Sequence, residues 1–582
     1  MQNRISHTLS ILIGLTVILS TTGIPQGVFG YPKNFAVFSV SSTVLLIALL
    51  FTTVSKKIPA NMRENAIYFI FLLLYLIDFK HPDSLWGLGA LYLLLLFVII
   101  RSVKKNNYTV LLICCACAAS WLAGWGYLQY IGWIPSNCSY FVVTGPYHNP
   151  AIWAAMVALL SGIIINAIIG FYSSIKRNPY FWGSLYVIVL FCIPILILSS
   201  ARAAYTALMA SVAYSLYFTV FIQKSPAKRL FGILSILLII SMSIAALYVL
   251  RPESVKGRLL IWKVSCRMIQ DKPLSGFGKG GFAANYLYYQ AAYMKSSASP
   301  EEKMLAGNTH LSFNEPLRIA VEHGLLGVGA YIAFIIRLLF FRPTQNKINI
   351  ISRSLLAGIT VWGLFAYPSQ TFPILLLWTL GIAYGIDLKA YPRYTSPNTR
   401  RNSILLSVTI CCIALIAGGK LYRKWNAYNG LQTYLVTHKE KIFSRQARLP
   451  AEISKEMTDD AGFIYLRCRK ERTAKSDTGF LHSLHFLENH FPTPDIWMMK
   501  GDYWREKGKW KEAEAAYRLA ANMVPSLQKP RGKLAILYKD MGRHEEATAI
   551  VREILTEKVK VYSFETFLLH RELKRIFEDS FK

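Results

Sequence analysis

The segment LYVIVLFCIPILILSSARAAY, residues 185–205, joins an apolar run to a short polar turn that contains one arginine, Arg202. No charged residue occurs between Arg177 and Arg202. Because an α-helix rises about 1.5 Å per residue, a run of this length crosses the roughly 30 Å hydrocarbon core of a bilayer. The segment therefore predicts a transmembrane helix that ends in a turn at the membrane boundary.

Comparable apolar runs recur along the chain and decide its class. Of 582 residues, 53% are hydrophobic, and 64 Lys and Arg residues outnumber 32 Asp and Glu residues. A nucleic-acid-binding protein would carry such an excess in a polar domain, so we expect a membrane protein and no nucleic-acid partner. We predict an all-α, polytopic protein with about thirteen transmembrane helices. They centre near residues 16, 43, 72, 92, 115, 161, 189, 212, 239, 328, 360, 377 and 411.

The positive charges between these runs alternate along the chain. Every second turn is rich in Lys and Arg, whereas residues 126–150 contain neither. Cytoplasmic turns carry such an excess, so the N-terminus is expected on the cytoplasmic side of the membrane. An odd number of spans then places the chain after residue 420 in the periplasm. We interpret the first apolar run as an uncleaved anchor, because no clean signal-peptidase site follows it.

One outer segment breaks this pattern. Residues 251–317 hold nine Lys and Arg residues although they lie on the predicted periplasmic side. Long loops cross the membrane largely regardless of charge, so these charges need another explanation. We divide the chain into a membrane domain, residues 1–420, which contains this large periplasmic loop, and a periplasmic helical domain, residues 421–582.

Other polar residues fall on the same predicted face. Arg202 lies in a hydrophobic hairpin, where a guanidinium has no role unless it meets an anion or a carboxylate. The segments that lead into two other spans contribute His148, Asn149, His310, Asn314, Glu315 and Arg318. We expect Arg202, Arg258 and His310 to be neighbours at one membrane boundary.

Two arginines and a histidine suit one type of chemistry. The planar guanidinium makes bidentate bonds to phosphate oxygens and keeps its charge in a partly dry site. A histidine accepts a proton from an attacking hydroxyl near neutral pH. Together they predict transfer from a lipid diphosphate donor to an acceptor alcohol, with the arginines neutralising charge on the leaving diphosphate.

Four stretches resemble, in order, the motifs of the O-antigen ligase and polymerase superfamily, which includes bacterial protein O-oligosaccharyltransferases. They span roughly residues 130–385 and read TGPYHNPAIWA, SSARAAYTALM, GRLLIWKVSCRMIQDKPLSGFGKGGFAANY and FNEPLRIAVEHGLLGVGAY. The resemblance implies that Arg202 and Arg258, with Trp262 in an Arg-x3-Trp element, hold an undecaprenyl diphosphate donor. It also implies that no metal or other cofactor is needed.

The resemblance departs from the family pattern at one position. Family members usually carry a His-Asn pair whose histidine is the proposed base, but this chain has Phe313-Asn314. His310, three residues earlier, is the expected base, and Glu315 is the next candidate. The expected substrate-binding residues are His148, Asn149, Trp262, Asn314, Arg318 and Lys279.

Simpler interpretations stay open for each of these residues. Arg202 suits an interfacial anchor, and the basic loop suits attraction to anionic lipid head groups. The segment GFGKGGF is not a nucleotide-binding loop, because no strand precedes it and no Gly-Lys-Ser/Thr follows; its glycines let the loop turn. The nine cysteines show no metal-ligand spacing.

The polar C-terminal region contains two similar helical units. GDYWREKGKWKEAEAAYRLAANMVPS and AILYKDMGRHEEATAIVREIL superimpose at a period of about 34 residues, with Gly508 on Gly542 and Ala513 on Ala547. This pattern resembles tetratricopeptide repeats, which usually present a concave surface to a protein. A third, degenerate unit is expected before residue 492.

The sequence thus predicts a glycosyltransferase that moves a glycan from undecaprenyl diphosphate to an acceptor hydroxyl. The acceptor could be lipid A core, a growing glycan or a protein Ser/Thr side chain. A transporter or lipid-linked glycan flippase is the alternative, although the spans contain few charges at the membrane midplane. A scaffold that acts only through its C-terminal repeats is a third.

Overall fold

A computed structural model describes most of the chain. The described residues are 2–21, 32–54, 62–76, 84–102, 107–172 except 139 and 148, 175, 178–222, 252–341, 346–386, 397–437 and 450–578, with isolated positions between 225 and 241. All regular secondary structure in these segments is helical, which confirms the all-α prediction. The first twelve α-helices are α1 (Gln2–Thr21), α2 (Pro32–Val54), α3 (Met62–Leu76), α4 (Leu85–Ser102), α5 (Tyr108–Tyr130), α6 (Pro150–Gly170), α7 (Pro179–Leu198), α8 (Arg202–Leu216), α9 (Pro252–Asp271), α10 (Gly281–Ser296), α11 (Pro300–Leu305) and α12 (Glu315–Phe340). The others are α13 (Lys347–Gly363), α14 (Phe372–Gly385), α15 (Pro397–Thr437), α16 (Ala451–Glu456), α17 (Ala461–Thr473), α18 (Asp477–His490), α19 (Pro494–Glu506), α20 (Trp510–Met523), α21 (Gln528–Asp540), α22 (His544–Thr556) and α23 (Phe564–Ile576).

Six segments in the described part of the chain are long and apolar enough to cross a membrane: α4 to α7, Arg202–Phe221 and α12. They coincide with the predicted centres near 92, 115, 161, 189, 212 and 328. Four shorter apolar helices, His7–Thr21, Ala36–Leu50, Ala66–Leu76 and Phe372–Gly385, coincide with four more. The centres near 360 and 411 fall in α13 and α15, and position 239 lies outside the described residues. The protein is therefore a multi-pass helical membrane protein, while the count of thirteen and the orientation of the termini stay predictions.

The chain forms two compact units. Unit 1 comprises Met1–Leu247, Tyr331–Lys439 and Leu449–Asp459, and unit 2 comprises Tyr248–Ala330, Glu440–Arg448 and Asp460–Lys582. Unit 2 thus combines the large loop with the helices that follow Asp460. The predicted domain boundary at residue 420 stays a prediction.

Polar side chains inside unit 1 have partners on neighbouring helices. The buried Asn166 amide of α6 donates to the hydroxyl of Ser211 on α8, at 2.9 Å, and to that of Ser354 on α13, at 2.7 Å. Such bonds fix helices against each other where lipid offers no alternative partner. These two hydrogen bonds therefore join α6, α8 and α13.

Two buried arginines satisfy the C-terminal end of α14. Arg101 donates to the carbonyls of Ala383 and Ile386, each at 3.0 Å, and Arg353 donates to that of Gly385 at 2.9 Å. The last carbonyls of a helix lack intrahelical partners and carry partial negative charge. These arginines therefore cap a helix, which explains their burial without invoking a ligand.

In unit 2 the C-terminal helices form antiparallel pairs with equivalent turns. Gly508 and Gly542 both have positive φ, at 72° and 76°. At each turn an amide bonds the carbonyl five residues earlier, Lys509 to Trp504 at 2.9 Å and Arg543 to Tyr538 at 2.8 Å. This is the hydrogen-bond pattern of a glycine-terminated helix, and it recurs 34 residues apart as the sequence predicts.

A third pair, α17 and α18, precedes these two. Its turn has Lys475 at φ 58°, and the amide of Ser476 bonds the carbonyl of Glu471 at 3.0 Å. Lys475 lies 33 residues before Gly508, so this unit is one residue out of the 34-residue register. The resemblance of these helix pairs to tetratricopeptide repeats stays a prediction.

Alanine at Gly508 or Gly542 tests the equivalence of the two turns. No atom lies within 4 Å of a Cβ built at either position, so only the positive φ opposes the substitution. We expect each change to cost about 1 kcal/mol, measured by amide hydrogen exchange of the flanking helices in the full-length protein. Gly501→Ala is the control with a steric cost, because its Cβ would lie 2.4 Å from the Tyr517 ring. Clearly unequal losses at Gly508 and Gly542 would contradict the equivalence.

Candidate functional site

Several basic residues of the large loop pair with acidic residues of the same loop. Lys256 lies 2.6 Å from the carboxylate of Glu301, and Lys263 lies 3.0 Å from that of Glu302. Both glutamates belong to α11, and both lysines project from α9. Both lysine side chains are exposed, and surface pairs contribute less than about 1 kcal/mol each. These two lysines are thus engaged within the loop, and they do not explain why the loop is basic.

Arg258 has a different environment. It lies one helical turn before Trp262 on α9, so both side chains are on the same side of that helix. The guanidinium carbon of Arg258 is 5.7 Å from the centre of the Phe313 ring. The indole N–H of Trp262 is buried and has no hydrogen-bond partner within the described part of the chain. A cation and an unpaired donor therefore lie along one face of α9.

Phe313 has an unusual backbone at this point. Its φ is 50°, in the left-handed region that residues other than glycine rarely adopt. Such strain persists only when the surroundings hold the residue in place. The position where the resemblance expects the base thus carries an aromatic ring beneath Arg258.

Asn314 begins α12. Its side-chain oxygen accepts the amide of Leu317 at 2.9 Å, and its carbonyl accepts the amide of Arg318 at 3.0 Å. Its own amide donates to the hydroxyl of Ser312 at 3.3 Å. A side chain that satisfies one of the first free amides of a helix is an N-cap. The side-chain oxygen of Asn314 is therefore engaged in starting the helix.

The first turns of α12 contain a buried ionic triad. Arg318, 5% exposed, lies between Glu315 and Glu322, which are 0% and 2% exposed. It donates to Glu315 Oε1 at 2.6 Å through Nη2 and to Glu322 through Nη1. Glu322 also accepts the amide of Gly280 at 3.1 Å, and the Lys279 ammonium interacts with it electrostatically. Spacings of three and four residues place the three side chains on one face of the helix.

The glycine-rich segment closes onto a break in α12. Gly324 has φ 67° and ψ −172°, and a Cβ built there would lie 2.0 Å from the carbonyl oxygen of Leu274. Gly276 has φ 66°, and its Cβ would lie 2.5 Å from the carbonyl carbon of Glu322. The amide of Gly278 donates to the Glu322 carbonyl at 2.8 Å. The glycines thus allow a close backbone contact, and the loop satisfies a carbonyl that the broken helix leaves free.

His310 packs against the segment between α18 and α19 of unit 2. Its Nε2 lies 2.9 Å from the carbonyl oxygen of Pro492, and its ring stacks on that of Phe491 with centres 3.7 Å apart. Burial lowers the pKa of His310 below its usual value, and the bond to Pro492 opposes part of that shift. Because a carbonyl only accepts, Nε2 carries the proton, and Nδ1 is the nitrogen left to accept another.

The other predicted residues lie in unit 1 or outside the described residues. Arg202 is the first residue of α8 and lies two residues after Ser200, whose φ is 54°. Asn149 caps α6 by accepting the amide of Ala151 at 2.9 Å, and it donates to the Tyr367 hydroxyl at 2.6 Å. His148 lies outside the described residues. That Arg202 neighbours Arg258 and His310 stays a prediction, because Arg202 belongs to unit 1 and the other two to unit 2.

Residues 187–332 match the family model described as O-Antigen ligase. This segment is therefore similar to the O-antigen ligase superfamily. No curated protein matches the chain in sequence. The match begins within α7 and ends within α12, so it contains Arg202, Arg258, Phe313 and the ionic triad. It confirms the resemblance and supports a glycosyl-transferring enzyme.

Within the O-antigen ligase segment, the sequence predicted some contacts and missed others. Glu315 and Arg318 were expected as site residues, but Glu322 was not recognised as their partner. The spacing of EPLRIAVE, with charges three and four residues apart on a helix, could have indicated the triad. The contact of His310 with Phe491 had no signal, because 181 residues separate them. Among the described residues, no three His, Cys, Asp or Glu side chains could together hold a metal ion.

The triad makes a prediction for stability. Arg318→Leu would remove the guanidinium from between two buried carboxylates, and removing one partner of a buried ion pair typically costs about 3–5 kcal/mol. We expect a large fall in the unfolding temperature of the purified full-length protein. Removing all three charges, as Glu315→Gln, Arg318→Leu and Glu322→Gln together, should restore much of it.

Lys263→Ala is the matched control, since the Lys263 side chain is exposed and its loss should cost less than about 1 kcal/mol. An unchanged unfolding temperature for Arg318→Leu would show that Arg318 is not held by the two carboxylates. It would favour the original interpretation of Arg318 as a substrate ligand.

Proposed function

We propose that the protein transfers a glycan from an undecaprenyl-diphosphate donor to an acceptor hydroxyl at the periplasmic face of a bacterial inner membrane. The family match supports the type of reaction. The observation that carries the proposal is the face of α9 on which Arg258, over the Phe313 ring, lies one turn from the Trp262 indole, whose N–H has no hydrogen-bond partner among the described residues. The proposed topology has a cytoplasmic N-terminus and a periplasmic unit 2.

In the proposed reaction the acceptor oxygen attacks the anomeric carbon of the donor glycan. The bond from that carbon to the diphosphate oxygen breaks, and the acceptor hydroxyl loses its proton to a base. Negative charge grows on the departing lipid diphosphate, and a fixed guanidinium stabilises that charge more than it stabilises the bound donor. Arg258 is proposed to do this, with the Trp262 N–H as a second donor to the phosphate oxygens. The reaction as proposed uses no metal or cofactor.

Arg202 is proposed as a further ligand of the diphosphate on the strength of its family motif. Its place at the start of a helix suits this role, since the first amides of a helix favour anions. Lys279, Asn149 and His148 remain proposed substrate contacts on sequence grounds.

Glu315, Arg318 and Asn314 are proposed to act indirectly. Glu315 is buried and paired with Arg318, so accepting a substrate proton would require breaking that pair. Asn314 caps the helix that carries both. The simplest role for the three is to fix the helix that begins directly after Phe313.

The acceptor is proposed only as an alcohol. Lipid A core, a growing glycan and a protein Ser/Thr side chain all supply the same reacting hydroxyl. The helical C-terminal region slightly favours a protein acceptor or partner, because stacked helix pairs usually bind proteins. The choice is decided by offering the three acceptors separately.

A reconstituted transfer assay tests the proposal. Labelled undecaprenyl diphosphate glycan is offered with lipid A core, free glycan or periplasmic protein. Wild type should move label to one of them, and Arg258→Ala should lower kcat about 100-fold or more, as loss of one transition-state donor does elsewhere. Arg258→Lys should recover part of the rate, because it keeps the charge but loses the planar fork.

Lys263→Ala, which removes an equal charge from the same helix, is the control and should transfer at the wild-type rate. Equal rates for wild type and Arg258→Ala would contradict the role of Arg258. Donor binding without transfer to any acceptor would contradict the enzyme and favour a flippase.

A further inference from the structure

The C-terminal helices and the large loop share one hydrophobic core within unit 2. Phe282, Tyr286 and Ala291 of α10 lie in the same buried cluster as Met523 and Val524, which end α20. All five side chains are less than 10% exposed. A continuous hydrophobic core of this kind is typical of a single folded domain rather than of two domains in contact.

A buried glutamine joins three parts of the unit. The amide of Gln290, 1% exposed, donates to the carbonyl of Met523 at 2.6 Å and to that of Gly307 at 3.0 Å. Its oxygen accepts the hydroxyl of Tyr286 at 2.8 Å. A buried amide with all these partners is costly to disturb, since loss of any partner leaves a polar group unsatisfied. Gln290 therefore fixes α10, the end of α20 and residue 307 together.

Further contacts hold the loop at the same edge. Lys560 donates to the carbonyls of Leu305 and Ala306 at 3.2 and 3.3 Å. Ser526 donates to the Ala306 carbonyl at 3.3 Å. His310 completes the row through Phe491 and Pro492.

The segment held in this way leads directly to Phe313. Residues 306–314 form neither helix nor strand, so no backbone ladder sets their path. Their path depends on side-chain contacts, and the contact of His310 lies three residues before the ring under Arg258. Moving His310 would therefore move the surface on which Arg258 rests.

We infer that the C-terminal helices position the transfer site, and that His310 is a positioning residue clasped by Phe491 and Pro492 rather than the proton acceptor. The inference deepens the proposed function and rests on it. A base must place its free nitrogen within about 3 Å of the acceptor hydroxyl. One face of the His310 ring is covered by Phe491 at an interplanar angle of 11°, and its Nε2 proton is donated to a carbonyl, so Nδ1 is the one ring nitrogen left to accept a proton.

A double-mutant cycle between His310 and Phe491 separates the two roles. If His310 positions the site, His310→Ala and Phe491→Ala should each lower kcat/KM by about tenfold, and the double variant should lose little more than either. His310→Phe and Phe491→Tyr keep the stacked rings and should retain most of the activity. Hydrogen exchange should show residues 306–314 opening faster in Phe491→Ala.

Controls keep the result interpretable. Phe491 is 38% exposed, so the Phe491→Ala variant should fold. Tyr288→Phe is a milder second variant, because it removes the hydrogen bond from the Tyr288 hydroxyl to the Glu488 carbonyl at 2.8 Å. Phe567→Ala is matched in residue type and exposure, at 45%, and lies on the last helix; it should behave as wild type.

The opposite result would overturn the inference. Full activity in Phe491→Ala together with inactive His310→Ala and His310→Phe would assign the base to His310. Unchanged hydrogen exchange of residues 306–314 in Phe491→Ala would show that the contact between His310 and Phe491 does not hold this segment. If wild type transfers label to no acceptor, the proposed function fails, whereas the exchange measurement still decides whether the helices hold the loop.

Discussion

The guanidinium of Arg318 between two buried carboxylates is the interaction on which unit 2 depends. Burying a carboxylate costs several kcal/mol unless a cation and hydrogen bonds compensate, and here one arginine serves two carboxylates. Glu322 takes a further hydrogen bond from Gly280, so the triad also fixes the glycine-rich segment against the broken helix α12. That segment connects α9 to α10. The orientation of α9, and with it the position of Arg258, therefore depends on the contact between the glycine-rich segment and α12.

The basic loop is not uniformly available to a ligand. Lys256 and Lys263 have acidic partners on α11, so their charges are matched within the loop. Arg258 lies over the aromatic ring of Phe313. A guanidinium one helical turn from an indole N–H that has no hydrogen-bond partner among the described residues is suited to an anion. The proposed diphosphate thus depends on one arginine and its surroundings, not on the total charge of the loop.

The sequence could predict features that depend on residues close together in the chain, but not contacts between distant residues. Apolar run length decides which segments cross a membrane, so six predicted centres coincide with long apolar helices. The 34-residue period is local too, and Gly508 and Gly542 have the same conformation. The pairing of Glu322 was within reach of helical spacing, although it was missed. The contact of His310 with Phe491 joins distant parts of the chain, and no periodicity of either part encodes it. Position 313 was noted as a departure, but only the structure shows what the phenylalanine contacts.

The most direct test of the account is photocrosslinking in membranes with an undecaprenyl diphosphate glycan whose reactive group sits beside the diphosphate. The labelled peptides are then mapped by mass spectrometry, with unlabelled donor as competitor. The account predicts labelling of the α9 peptide that contains Arg258 and Trp262, and loss of that label in Arg258→Ala. Labelling confined to the membrane-spanning helices, with the α9 peptide unlabelled, would contradict it.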